Sequence, residues 1–224
     1  MNLIYGADSR TRVDIRLTNG YNLYEWVMRK SCFPSFWGRN MTGKYAVTKE
    51  EIAFLHQMGC KVALIANGFE EVSIASNNAQ NDALRTIEAA KRLGVPQNKG
   101  ITLFAEIPGK LCVNHNWMIG YANHLLRNGY CPGFIGDTDS SKNFNFGRQC
   151  SHYIQATRKN CHPLTTYWAT APHYNFDPAV WAPYAPSQIL PADIHIWQYG
   201  TVDFHTISAG KCYARDESVL ERFY

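Results

Sequence analysis

Short apolar runs alternate with longer amphipathic segments along almost the whole chain. Residues 3–7, 33–37, 61–66, 101–105, 132–136 and 165–169 are apolar or β-branched runs, most of them closed by Gly, Asn or Asp. That is the pattern of buried strands bounded by turn residues. Between them, residues 22–28, a segment opening at Thr48, and residues 79–93, 113–126 and 146–158 place apolar side chains at helical spacing. Residues 194–199 and 202–207 alternate apolar and polar positions and predict two more strands, with 211–214 a weaker apolar run near the end.

Local signals sharpen several of these elements. In 79–93, Ala83, Ile87 and Ala90 share one face, and Gly94 with Pro96 ends the helix. Thr48 and Glu51 have the spacing of a capping box, in which each side chain satisfies a backbone N–H at the helix start. The strand 101–105 lies between Gly100 and Pro108-Gly109 and delivers Glu106 at its exit. Regular alternation of strand and helix, with no linker or fixed repeat, predicts a parallel sheet with covering helices in a single domain over residues 1–224. The expected fold is α/β, a compact, somewhat irregular (β/α)8 TIM-like barrel. An open doubly wound α/β sheet is the alternative, but the chain has no GxGxxG or GxxxxGK[ST] loop of its nucleotide-binding versions.

Composition narrows the function classes. Hydrophobic residues make up 46% and charged residues 18% of 224 residues, an ordinary globular balance. The net charge of +4 is mild and no Lys/Arg cluster forms, so a nucleic-acid partner is not expected. No run is long enough to span a membrane. The N-terminus lacks the basic start and apolar stretch of a signal peptide, which implies cytoplasmic synthesis and any release by a non-classical or lysis route. Seven dispersed cysteines form no CxxC motif. Cys150, His152, Cys161 and His162 are zinc-ligand types at no common zinc spacing, so neither a metal nor another cofactor is expected.

Four carboxylates fall at or near predicted strand ends: Asp8, Glu106, Asp137 and Asp203. In a parallel barrel all strand C-termini share one rim, so these residues converge although they are far apart in sequence. A pair of carboxylates is the minimal kit for glycoside hydrolysis, one donating a proton and the other supporting a cationic sugar carbon. The sequence reading gives the acid role to Glu106. Aromatic side chains crowd the last third, where Trp168, Tyr174, Trp181, Tyr184, Trp197 and Tyr199 suit either sugar stacking or core packing. His195 lies mid-strand between apolar residues and reads as a satisfied core or rim histidine.

The order of pieces resembles the glycoside-hydrolase-like domains of unknown function related to the family 25 lysozymes (muramidases). The resemblance rests on Tyr5-Gly6-Ala7-Asp8, Phe36-Trp37-Gly38-Arg39, Val47-Thr48-Lys49-Glu50-Glu51 and Ala89-Ala90-Lys91-Arg92-Leu93-Gly94-Val95-Pro96. Leu103-Phe104-Ala105-Glu106, Gly133-Phe134-Ile135-Gly136 and Ile196-Trp197-Gln198-Tyr199 complete it. It implies a (β/α) barrel with an acidic site at the strand C-termini, in which Asp8 and Val202-Asp203 match lysozyme positions. The lysozymes carry Asp-x-Glu on their middle strand, whereas this chain has Phe104 two residues before Glu106. The expected activity is hydrolysis of peptidoglycan or a related polysaccharide, with Arg39, Trp168, Trp181, Trp197 and Tyr199 as substrate-binding residues. The alternative is a non-catalytic carbohydrate-binding barrel.

Overall fold

A computed structural model describes residues 3–31, 33–139, 146–183 and 193–224. Eight strands close into a barrel in sequence order. They are β1 (Ile4–Ser9), β2 (Phe36–Asn40), β3 (Lys61–Ala66), β4 (Thr102–Glu106), β5 (Cys131–Gly136), β6 (Thr166–Ala169), β7 (Ile196–Phe204) and β8 (Ile207–Ala214). Strands β1 to β7 pair in parallel, while β8 runs antiparallel to both β7 and β1. The TIM-like barrel is therefore irregular at its seam: a hairpin stands where a regular barrel has a helix and a parallel eighth strand.

The helices are α1 (Leu23–Lys30), α2 (Lys49–Gln57), α3 (Glu71–Ile74), α4 (Gln80–Leu93), α5 (His115–Arg127), α6 (Phe146–Thr157) and α7 (Glu217–Leu220), with a 3-10 turn at His162–Leu164. None is long and apolar enough to cross a membrane among the described residues. Asn22 caps α1 in a full capping box with Glu25. At α2 only half of the expected box forms. Thr48 accepts from the Glu51 N–H, but the Glu51 carboxylate is turned away to Arg39 and to the Val13 N–H. The buried Arg39 cation on the neighbouring strand outcompetes a helix-end N–H for that carboxylate.

Two apolar layers hold the barrel together. Leu103, Ala105, Phe134, Tyr167, Trp197 and Tyr199 face outward into the core beneath the helices. Phe36, Ile65, Phe104, Ile135, Trp168 and Ile196 fill the interior. This in-and-out alternation follows from the two-residue period of a strand. At the N-terminal end, Phe223 packs on Phe36 and Phe104, and Tyr224 exchanges backbone hydrogen bonds with Val62. That end is plugged by side chains and main chain. The other end, where the strands finish, carries the polar residues.

Two sequence expectations change here. Residues 194–199 and 202–207 were expected as separate strands, but Gly200 lies within β7, beside a register shift against β8, so 196–204 is one long strand. An isolated glycine in a strand marks a bulge as readily as an end. The weak run at 211–214 is the second half of β8, one of the two strands that seal the barrel.

Candidate functional site

Asp8 stands near the end of β1, directly opposite Gly38 on β2 and Gly210 on β8. Neither neighbour has a side chain, and that absence makes the site. A Cβ at Gly210 would run into the Asp8 carboxylate and the Gln198 amide, and one at Gly38 would come within 2.9 Å of the Asp8 Cβ and 2.7 Å of the Trp168 ring. The two glycines thus leave a slot in which the Asp8 and Gln198 side chains approach each other. Glu106, the last residue of β4, reaches the same pit, which is also lined by Arg10, Asn40, Trp168 and Thr170. Its volume is about 50 Å³. It adjoins a wider cleft of about 300 Å³ between Arg10, Glu106, Lys110, Asp137 and Thr170.

Burial sets the protonation of Asp8. Asp8 is pushed up to about 6, chiefly by burial and further by the negative charge of Glu106. The Cys212 thiol, which donates to Asp8 Oδ1 at 3.3 Å, and the positive charges of Arg10 and Arg39 oppose the rise. Glu106 is 30% exposed and pairs with the open Arg10 guanidinium at 3.5 Å. Desolvation is the dominant effect on Asp8, as expected for a carboxyl drawn into a narrow apolar-floored slot.

This burial has a consequence for stability. Below about pH 4 the Asp8 carboxyl is protonated in both folded and unfolded chains. Between about pH 4 and 6 the unfolded chain loses that proton first, so stability falls as pH rises, and above 6 the loss is complete at about 3 kcal/mol. Asp8→Asn retains an acceptor for Cys212 and removes the charge. In urea melts it is expected to be about 3 kcal/mol more stable than the parent at pH 8 and no more stable at pH 4. Equal stability of the two chains at both pH values would contradict the burial of an ionisable Asp8.

The other sequence candidates divide. Asp137 follows β5 on the wall of the wider cleft beside Glu106, and its carboxylate accepts the Asp139 N–H at 2.9 Å. Asp203 is not part of the site. It lies near the tip of the β7–β8 hairpin, where its carboxylate accepts from Ser208 and Thr201, and it lines neither cleft. The extra length of β7 carries it past the mouth.

Arg39 is not a substrate-binding residue. Its side chain is fully buried, bonded to both oxygens of Glu51 and to the carbonyls of Ser9, Arg10 and Tyr45. It fixes the chain leaving β1, and so the stem of Arg10. Trp197 and Tyr199 are also buried, on the outer face of the barrel. Trp197 donates to the Pro172 carbonyl, and Tyr199 stacks on Tyr213. Trp181 and Tyr174 are partly buried and pack edge-on against Trp197, so these rings extend the core beneath the helices and line neither cleft. Tyr184 lies outside the described residues. His195 accepts the Tyr167 N–H at 3.2 Å, and burial drives its ring towards the neutral form, well below the usual imidazole range.

Among the described residues, Trp168 is the one expected aromatic that reaches the pit. It is 1% exposed, held edge-on by Phe36 and Phe104, and its indole N–H has no hydrogen-bond partner among the described residues. The sequence reading missed Arg10, Asn40, Thr170, Gln198, Cys212 and the two glycines. Gln198 had a legible signal, a polar residue at an inward position of an otherwise aromatic and apolar strand.

No protein-family profile matches the chain, and no curated protein does. Among solved structures, an uncharacterized protein from B. stearothermophilus is similar, with 26% identity and a TM-score of 0.79 over 99% of this chain and 100% of that one. The Tat-secreted protein Rv2525c of Mycobacterium tuberculosis is similar in fold at 9% identity. Its complex with HEPES gives a TM-score of 0.59 over 94% of both chains, and its complex with L-tartrate gives 0.60 over 97% of this chain and 98% of that one.

Proposed function

We propose that this barrel hydrolyses glycosidic bonds in peptidoglycan or a related polysaccharide by carboxylate acid–base chemistry. One observation carries the reading: Asp8 and Glu106 share a pit at the barrel mouth, and burial raises Asp8 to about 6. A carboxyl that holds its proton at mildly acidic pH is what protonation of a leaving glycosidic oxygen requires. Asp8 is therefore the donor, a role the sequence reading gave to Glu106. Glu106, paired with Arg10, is the carboxylate that stabilises the cationic sugar carbon, attacks it, or activates water. Asp137 faces the chain of the substrate along the wider cleft.

The test is release of reducing ends from purified cell wall and from chitooligosaccharides between about pH 4 and 8. Release with an optimum on the acid side of about pH 6 is expected; none from any substrate at any pH would end the hydrolase reading.

One observation favours a second reading, a non-catalytic carbohydrate-binding barrel. Phe104, where the lysozyme resemblance asks for an aspartate, is fully buried against Trp168 at 5.6 Å between centroids and leaves no place for a carboxylate. Cell-wall binding that persists in Glu106→Gln, without bond cleavage by the parent, would select it.

A further inference from the structure

We propose that Asn40 is a substrate-recognition residue at the barrel mouth. Its buried side-chain amide takes a neutral group that both donates and accepts a hydrogen bond, an acetamido or a hydroxyl group of a sugar. The inference rests on the glycan reading above and names the residue that reads the substituent.

Strand geometry aims the side chain. Asn40 ends β2, where Phe36 points into the barrel and Trp37 points out beneath the helices. The two-residue period therefore turns Arg39 outward to Glu51 and Asn40 inward, on the face of Phe36 and Gly38. On that face it forms the pit wall together with Asp8, Glu106 and Gln198. Asn40 is 6% exposed, and its amide has no hydrogen-bond partner among the described residues. Unlike the Trp168 nitrogen, that amide is not sealed from solvent. Buried amides are almost always paired, and this one has N–H donors and a carbonyl to satisfy. Main-chain bonds hold it in place. Its own backbone carbonyl accepts the Val47 N–H at 2.7 Å, and the Met41 N–H donates to the Ile65 carbonyl at 2.7 Å.

The surroundings choose the ligand. Asp8 and Glu106 are the acids of the pit wall and Arg10 is its cation, 3.5 Å from Glu106. Arg39, on the outer face of the same strand, is neutralised by Glu51. With Asp8 protonated, the charges of Glu106 and Arg10 offset each other, so the wall has no net charge to draw an ion. What it offers is hydrogen bonding. Gln198, on the other side of Asp8 across Gly210, carries a second amide without a partner among the described residues. An anion leaves the Asn40 carbonyl unpaired and an ammonium leaves its N–H groups unpaired, whereas a neutral donor–acceptor group satisfies both. The pit of about 50 Å³ has several times the roughly 10–15 Å³ that one water needs, which suits a substituent of a few atoms. A sugar without that substituent leaves the amide unpaired and is rejected.

The test follows the side-chain amide protons of Asn40 in the full-length, nitrogen-15-labelled protein at pH 8, where Asp8 has lost the proton that turnover needs. The pair is identified by its absence in Asn40→Leu, which keeps the branching of the side chain without its polar atoms. Chitotetraose, cellotetraose and N-methylacetamide are added in separate titrations. Expected is a saturable shift of the Asn40 pair with chitotetraose and about tenfold weaker binding of it by Asn40→Leu. The urea midpoint of Asn40→Leu is expected to be no lower than the parent's, because the amide it removes is unpaired in the free protein. A shift with chitotetraose but not cellotetraose assigns the acetamido group, and a shift with cellotetraose as well assigns a hydroxyl. Glycan binding that moves other signals but not the Asn40 pair would overturn the proposal and leave the glycan reading standing. A shift with N-methylacetamide and no binding of either glycan would support the role of Asn40 while counting against these glycans. A lowered urea midpoint with unchanged affinity would make the amide structural and overturn the proposal, as would no response to any of the three probes.

Discussion

Asp8→Asn is expected to lower the release of reducing ends from cell wall by about 100- to 10,000-fold, the range for loss of a general acid. The substitution keeps the shape of the side chain and an acceptor for the Cys212 thiol, so the loss reads proton donation rather than unfolding. Glu106→Gln is expected to cost a similar factor, because it removes the charge that stabilises the cationic sugar carbon. The pH profile separates the two roles. In the parent, kcat/KM falls above about pH 6 as Asp8 loses its proton. In Glu106→Gln the negative neighbour that helps raise Asp8 is gone, so the residual activity falls at lower pH than in the parent. An Asp8→Asn chain that keeps the parent's rate and profile would remove Asp8 from the chemistry.

The largest expected effect on stability lies one strand away. Arg39→Met is expected to destabilise the fold by about 3–5 kcal/mol, read as the shift of the urea midpoint at constant slope. Arg39 and Glu51 are both wholly buried, and Glu51 Oε1 is bonded by the guanidinium at 2.6 Å and by the Val13 N–H at 3.0 Å. Removing the cation leaves a buried carboxylate with one backbone donor. The guanidinium also holds the carbonyls of Ser9 and Arg10, so the loss loosens the loop that carries the ion-pair partner of Glu106. The double variant Arg39→Met, Glu51→Leu buries no charge and is expected to recover much of the loss. A cost below about 1 kcal/mol for Arg39→Met would mean that the pair behaves as an exposed one.

Much of this was legible in the chain. Strands β3, β4 and β5 carry continuous apolar runs because both of their faces are buried, and glycine or Asn-Gly closes the helices before β3 and β5, so apolar runs and stop signals together located them. The placement of Asp8 and Glu106 at strand ends followed from the same pattern, since a parallel barrel gathers those ends at one mouth. For Arg39, Trp197 and Tyr199 the failure had a common cause: side-chain type was read without its three-dimensional partner. Arg39 was expected to bind substrate, and only the fold reveals that Glu51 neutralises it. Trp197 and Tyr199 looked like a sugar platform, yet their outward position in β7 puts them under the loop that contains Pro172 and Asp177. Asp203 was assigned to the rim from a separate strand over 202–207 and from the Val202-Asp203 match, whereas Gly200 is an irregularity within one longer strand that carries Asp203 past the mouth. Gly38 and Gly210 carried no chemical signal, because their contribution is the space they leave for Asp8.

The most direct measurement is the titration of the Asp8 side-chain carboxyl by carbon-13 NMR in the parent protein and in Glu106→Gln. A midpoint of about 6 in the parent, moving down when the Glu106 charge is removed, is the expected result. A midpoint near 4 in both proteins would mean that Asp8 is an ordinary ionised carboxylate at the barrel mouth, with no proton to give.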